Sequence, residues 1–195
     1  RANSSEALTE LADTLHIPVV NTMMAKGMMP YTSPYSLWTV GIPQKDYANR
    51  VLENADLLIC VGYDIVEYAP QRINPTRKTP ILHINTMPAH INKYYQTACE
   101  VVGNISDSLP RITLRTHRKQ EPTAALAIRE QLIAEHESYA ADASFPMKPQ
   151  RVLIDVRKVM RPGDILLSDV GAHKMWIARH YNCYKPKTCL ISNGF

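Results

Sequence analysis

No apolar run in the sequence approaches the roughly 18 residues that a membrane-spanning helix needs, and the opening Arg1-Ala2-Asn3-Ser4 lacks the apolar core of a secretion signal. A membrane partner is therefore not expected. Cys60, Cys99, Cys183 and Cys189 form no C-x-x-C pair and are not crowded into a short chain. Neither a zinc cluster nor a disulfide scaffold is indicated, and a reducing cytoplasm fits. The chain carries no G-x-G-x-x-G fingerprint and no G-x-S-x-G elbow, so the dinucleotide signal is weak and hydrolase chemistry has no support. Low-complexity tracts are missing too, because the 14 prolines are scattered in pairs such as Ile-Pro, Thr-Pro and Lys-Pro that punctuate elements.

What is present is the makeup of a globular protein. The 195 residues are 45% hydrophobic and 21% charged, enough for one or two compact cores. The net charge of +4 reflects 22 basic against 18 acidic residues, with its densest patch at Arg111, Arg115, Arg118 and Lys119. That patch has no interleaved aromatics and reads as a solvated linker, so no nucleic-acid partner is expected.

Four short β-branched runs, 17–22, 56–62, 80–85 and 99–103, read as buried parallel strands. Helical patterns lie between them at 4–15, with Ser4 and Ser5 as candidate caps, and at 46–54, 88–95 and 105–114. Alternating strands and helices predict an α/β fold built on a parallel sheet with flanking helices. The first helix has no incoming strand, so residues 1–114 are expected to form a domain lacking its first strand. Residues 115–146 read as a helical connector with Leu126, Ile128, Leu132 and Ile133 on its apolar side. From 147 to 195 the rhythm returns: helix 149–160, turn 161–164, strand 165–170, helix 172–181 and strand 188–192. Two strands are too few to bury a sheet between helices, so this unit is expected to be ordered only against a partner chain.

In a parallel α/β sheet, ligands bind beyond the carboxyl ends of strands. Leu167-Ser-Asp-Val-Gly-Ala-His-Lys-Met-Trp176 turns from a strand through Gly171 directly into a helix. Gly171 permits a close approach, and the free N–H groups of the helix's first turn suit an anion such as a diphosphate. His173 falls in that turn and could donate to the same phosphate. The competing reading is that Gly171 only turns the chain and His173 only packs. Trp176 and Ile177 are read as core. The second place is Val61-Gly-Tyr-Asp-Ile-Val-Glu-Tyr68, a loop that could line a nucleotide or a domain interface, where Asp64 and Glu67 read equally as solvated or capping residues and not as a paired acid and base. His173 and His180 stand two helical turns apart, about 10 Å, too far to share one metal. Cys60 reads as a small core residue.

Beyond this residue-level reading, the sequence resembles a known family. Ile17-Pro-Val-Val-Asn-Thr-Met-Met-Ala-Lys-Gly27, Ala55 to Tyr68 and Val101-Val-Gly-Asn-Ile105 resemble the middle domain of acetolactate synthase large subunits. Ser168-Asp-Val-Gly-Ala-His-Lys-Met-Trp-Ile-Ala-Arg179 and Ile191-Ser-Asn-Gly-Phe195 resemble the opening of that family's thiamine-diphosphate-binding domain. The resemblance implies a three-domain enzyme, of which this chain would be an internal piece. It places Val170, Gly171, Ala172 and His173 at the diphosphate and Gly194 near the aminopyrimidine. Ala172 departs from the glutamine that many biosynthetic members carry.

The reaction implied condenses two pyruvates to 2-acetolactate and carbon dioxide through a thiamine diphosphate carbanion, with 2-oxo acids as the small-molecule partners. The full-length enzyme would be a homodimer or homotetramer. The Mg2+ ligands and a first-domain glutamate are expected outside this piece, which alone would be inactive. FAD is left open: Met24-Ala-Lys-Gly27 looks like the FAD-containing biosynthetic group, while Gly62-Tyr-Asp64 and Val66-Glu-Tyr68 look like the FAD-free catabolic group, and the balance tips slightly against FAD. The alternatives are a sister enzyme, such as a pyruvate oxidase, glyoxylate carboligase or 2-oxo acid decarboxylase, and a non-catalytic FAD- or NAD-binding module.

Overall fold

A computed structural model describes residues 4–41, 46–117 and 121–192. Three parallel strands form its largest sheet: β3 (Leu58–Val61), β4 (Ile81–Asn85) and β5 (Cys99–Val102), with β4 in the middle. Side chains alternate across a strand, and this sheet uses both faces. Leu58, Cys60 and Ile81 join Val40, Ala48, Tyr68, Ile73 and Tyr95 on one side. Ile59, Val61, Leu82 and Ile84 meet Leu11, Leu15, Ile105 and Leu109 on the other. The second group belongs to helices α1 (Ser5–Leu15) and α4 (Ile105–Thr113), which pack side by side. The α/β reading with a parallel sheet is thus what the structure has.

Local sequence explains most boundaries. Asp46 accepts a hydrogen bond from Tyr47 N at 2.8 Å and opens α2 (Tyr47–Glu53). Asn104 accepts from Ser106 N at 3.0 Å and opens α4. The expected serine cap of α1 does not form: Ser4 makes no side-chain cap, and Ser5 Oγ instead donates to Met28 O at 2.6 Å. Residues 88–95 are not helical. Asn92 Oδ1 accepts from both Tyr94 N and Tyr95 N, at 2.8 and 3.0 Å, and such a local side-chain bond outcompetes a helix. It turns Tyr95 into the core, where its hydroxyl meets His83 Nδ1 at 2.8 Å.

The run 99–103 is a strand but not a buried one. Among the described residues β5 has a neighbour on one side only, and most of its own residues are exposed. An unforeseen strand, β2 (Ser36–Thr39), pairs in parallel with β1 (Val19–Asn21). Val19 faces Ser36 and Asn21 faces Thr39, so β2 carries one extra residue, a bulge. Trp38 takes φ +61° there, and its ring is buried under the long helix α5 (Thr123–Ala140).

α5 packs on β2, on α2 and on α6 (Pro149–Val159). Leu132 and Ala125 enter the core with Leu37 and Trp38, and Ile128 and Ile133 pack against them. Arg129 reaches across to Ser33 O and Tyr31 O at 3.1 and 3.2 Å. The remaining elements are β6 (Leu166–Ser168), α7 (Ala172–His180) and β7 (Cys189–Ile191), the two strands again pairing in parallel. One face of this pair is covered from within, where Met23, Leu153, Val156 and Met160 close a core with Ile177, Tyr181, Cys189 and Ile191, while Leu167 and Leu190 on the other face are exposed. Of the basic patch, Arg111 and Arg115 are exposed along an open groove of about 350 Å³ beside α4, while Arg118 and Lys119 lie outside the described residues.

Leu132 has no exposure, so Leu132→Ala is expected to lower stability by about 2–5 kcal/mol in urea unfolding, through lost transfer energy and a residual cavity. Leu114→Ala, at a residue 84% exposed, is expected to change it by less than about 0.5 kcal/mol.

Candidate functional site: the turn before helix α7

β6 ends at Ser168, two residues short of the expected Val170, and the chain turns through Asp169 and Val170 into α7. Gly171 stands at the helix's N-cap with φ +154°. A Cβ added there would lie 2.8 Å from the His173 ring, because that ring folds back over the glycine and its Nε2 bonds Asp169 O at 3.0 Å. Asp169 Oδ1 accepts from Val170 N at 2.7 Å and braces the turn. Gly171, Ala172 and His173 are all exposed, and Val170 is 46% exposed. The structure therefore brings Val170, Gly171, Ala172 and His173 into one open turn. Gly194 lies outside the described residues.

The opening N–H groups of any helix have no intrahelical acceptor, and the aligned peptide dipoles make that end positive. Here that end faces outward across a bare glycine backbone beside an imidazole. This surface can accept an anionic oxygen, and the missing Cβ leaves the space that the His173 ring takes. Among the described residues no cluster of three or more His, Cys, Asp or Glu could hold a metal ion, and no helix is long and apolar enough to cross a membrane.

The opposite end of α7 is closed by groups that were not anticipated. Lys26, only 6% exposed, donates from Nζ to Ala178 O at 2.8 Å. Arg179 is equally buried and pairs with Asp46 Oδ1 at 2.5 Å and with Glu135 Oε2 at 2.7 Å. Its guanidinium also lies 5.4 Å from the Tyr47 ring centre. Burial pushes the Asp46 carboxyl above its usual range, and the Arg179 charge opposes that shift. Gly27, at φ +85°, lets the backbone beside Lys26 come close: a Cβ there would sit 2.3 Å from Lys185 O. Cys183 and Cys189 share the adjoining core. The hydrogen bond from Cys189 pulls the Cys183 thiol down to about 6, with Lys26 acting in the same direction against burial.

The other candidate residues resolve as structural. Asp64 Oδ1 accepts from Val66 N at 3.0 Å and Glu67 Oε1 from Met24 N at 2.6 Å, so both cap the chain. Tyr63 donates to Tyr68 O and its ring lies 5.1 Å from that of Tyr95. Cys60 is buried, which pushes its thiol up to about 11. Ile177 is core, but Trp176 is 36% exposed, because α7 buries Ile177, Ala178, Arg179 and His180 and turns Trp176 away.

The described geometry is that of an α/β protein with an open strand–glycine–helix turn. Comparison with known proteins narrows it. Residues 1–112 match the family described as thiamine pyrophosphate enzyme, central domain, and the chain belongs to that family. It is 26% identical to acetolactate synthase of Bacillus subtilis over all of this chain and 35% of the relative. It is 30% identical to the mitochondrial acetolactate synthase catalytic subunit of Saccharomyces cerevisiae, over 99% of this chain and 30% of the relative. With the catabolic acetolactate synthase of Raoultella terrigena it shares 31% identity over 80% of the chain and 28% of the relative. The chain thus spans about a third of the length of these curated relatives.

Burial holds the His180 imidazole down to about 3, helped by the neighbouring Arg179 charge. Between pH 6.5 and about 3 the unfolded chain binds a proton at this position that the folded chain does not, so His180 makes stability fall as pH falls through that window. His180→Phe is expected to flatten that part of the thermal-midpoint profile, read by circular dichroism; an unchanged slope would count against the assignment.

Proposed function

We propose that this chain is the central part and the cofactor-binding turn of an acetolactate synthase that condenses two pyruvates to 2-acetolactate and carbon dioxide. The single observation that carries the reading is the open Gly171 turn at the head of α7, within a chain whose relatives bear that name. On this reading residues 1–114 are the central domain, 115–146 the connector and 147–195 the start of the cofactor domain.

When bound, thiamine diphosphate supplies the carbanion and the electron sink. The chain's own residues hold its diphosphate. The N–H groups of Ala172 and His173 would donate to the diphosphate, Gly171 would let it approach the backbone, and the His173 ring, now bonded to Asp169 O, would add a donor. Ala172 offers no side-chain bond, so the backbone carries more of the binding. Mg2+ would be held by residues outside this chain, since none here is assigned to it. FAD is taken as dispensable: Lys26 of the Met24–Gly27 stretch is engaged by α7, which accounts for that string without a nucleotide. The substrates are 2-oxo acids, with no nucleic-acid or membrane partner, in a homodimer or homotetramer. A cytoplasmic location accords with four free cysteines.

The test is pyruvate turnover by the full-length protein with thiamine diphosphate and Mg2+, with and without FAD. Acetolactate formed without FAD is the expected result, and strict FAD dependence would move the protein to the biosynthetic group. A different product from pyruvate would indicate a sister enzyme. Gly171→Ala drives a Cβ into the His173 ring and is expected to raise the thiamine diphosphate requirement by about 10–100-fold, the scale of a misplaced binding group.

A further inference from the structure

α7 is held at one end and open at the other. Its first turn, residues 171–173, is exposed, whereas Ala178, Arg179 and His180 are buried. Two basic side chains grip the buried end from different directions, and burial pulls the Lys26 amine below its usual range. Lys26 approaches from the loop after β1 and bonds Ala178 O, and Arg179 is held between Asp46, the N-cap of α2, and Glu135 of α5. Arg179 sits at the negative end of the α7 dipole, where a cation stabilises the helix, and Lys26 supplies an N–H donor to a carbonyl of the same last turn. Each ion pair is buried enough that losing one partner leaves an uncompensated charge.

We infer that Lys26, Arg179 and Glu135 are positioning residues for the cofactor diphosphate: they fix the tilt of α7 and so the place of its N-terminal turn. The inference rests on the proposed role of the Gly171 turn. Along a helix, Ala178 stands about 9 Å from Ala172, so a tilt of about 10° about the Lys26 grip moves the diphosphate-binding N–H groups by about 1.5 Å. A misplacement of that size weakens an oriented contact by up to about 100-fold. None of the three touches the cofactor; each acts through the helix. An uncharged side chain at 26 leaves Ala178 O buried without its donor, and the helix end is free to shift.

The experiment uses the full-length protein and reads the Kd for thiamine diphosphate by calorimetry, with inorganic pyrophosphate as a competing probe of the diphosphate subsite. Lys26→Met is expected to raise both constants at least about tenfold, Lys26→Arg to recover most of that loss, and Glu135→Gln to raise them about threefold. Melting curves without cofactor accompany each variant, and binding is measured where each is fully folded. Should Lys26→Met fail to fold, Glu135→Gln decides, since its side chain is 29% exposed and its loss is milder. Folded variants that melt earlier yet bind within about twofold of the parent would overturn the inference and leave a purely structural role. Gly171→Ala separates the two levels. If that change leaves both constants unmoved, the turn is not the diphosphate site and the inference falls with it; if it raises them while Lys26→Met does not, the positioning role alone falls.

Discussion

The buried ion cluster of Arg179 with Asp46 and Glu135 is the constraint on which the rest of the arrangement depends. Three elements far apart in sequence supply it: α7, the start of α2 and the middle of α5. Taking these charges out of water is costly, so the cluster is stable only while all three elements meet. Asp46 serves twice, capping α2 through Tyr47 N while holding Arg179. With Lys26 bound to Ala178 O, the cluster joins the β1–β2 layer and the β6–β7 layer into one body and gives α7 a fixed direction.

On the proposed reading, that direction aims the helix at the cofactor. The helix presents its negative end to buried basic side chains and its positive end to open surface, across a glycine whose absent Cβ would collide with His173. An anion bound there completes the charge pattern of the helix. The family match on residues 1–112 concerns the other half of the chain, so the two lines of argument are independent. The loop after β3 is braced by Asp64, which accepts from Val66 N, and tied to the segment after β1 by Glu67, which accepts from Met24 N.

Much of this was legible in the sequence because it is local. The β-branched runs give strands at 58–61 and 81–85, the apolar segments expected at 165–170 and 188–192 give strands at 166–168 and 189–191, and the caps at Asp46 and Asn104 sit where short polar side chains precede apolar periodicity. The Gly171 turn was visible as a strand running out at glycine. What escaped is non-local. β2 is four residues long with a bulge at Trp38, and only burial against α5 marks it as a strand. The Asn92 turn overrides a helical pattern through one side-chain oxygen. Lys26 and Ala178 lie 152 positions apart, and nothing in either neighbourhood announces the other.

The central claim is that the first turn of α7 receives the cofactor's diphosphate. Amide hydrogen exchange on the full-length protein, followed in the segment 169–176 with and without thiamine diphosphate and Mg2+, tests it most directly. The account predicts that exchange at Ala172 and His173 slows on binding, since those N–H groups acquire an acceptor. Protection elsewhere in the protein with no change in this segment would contradict it.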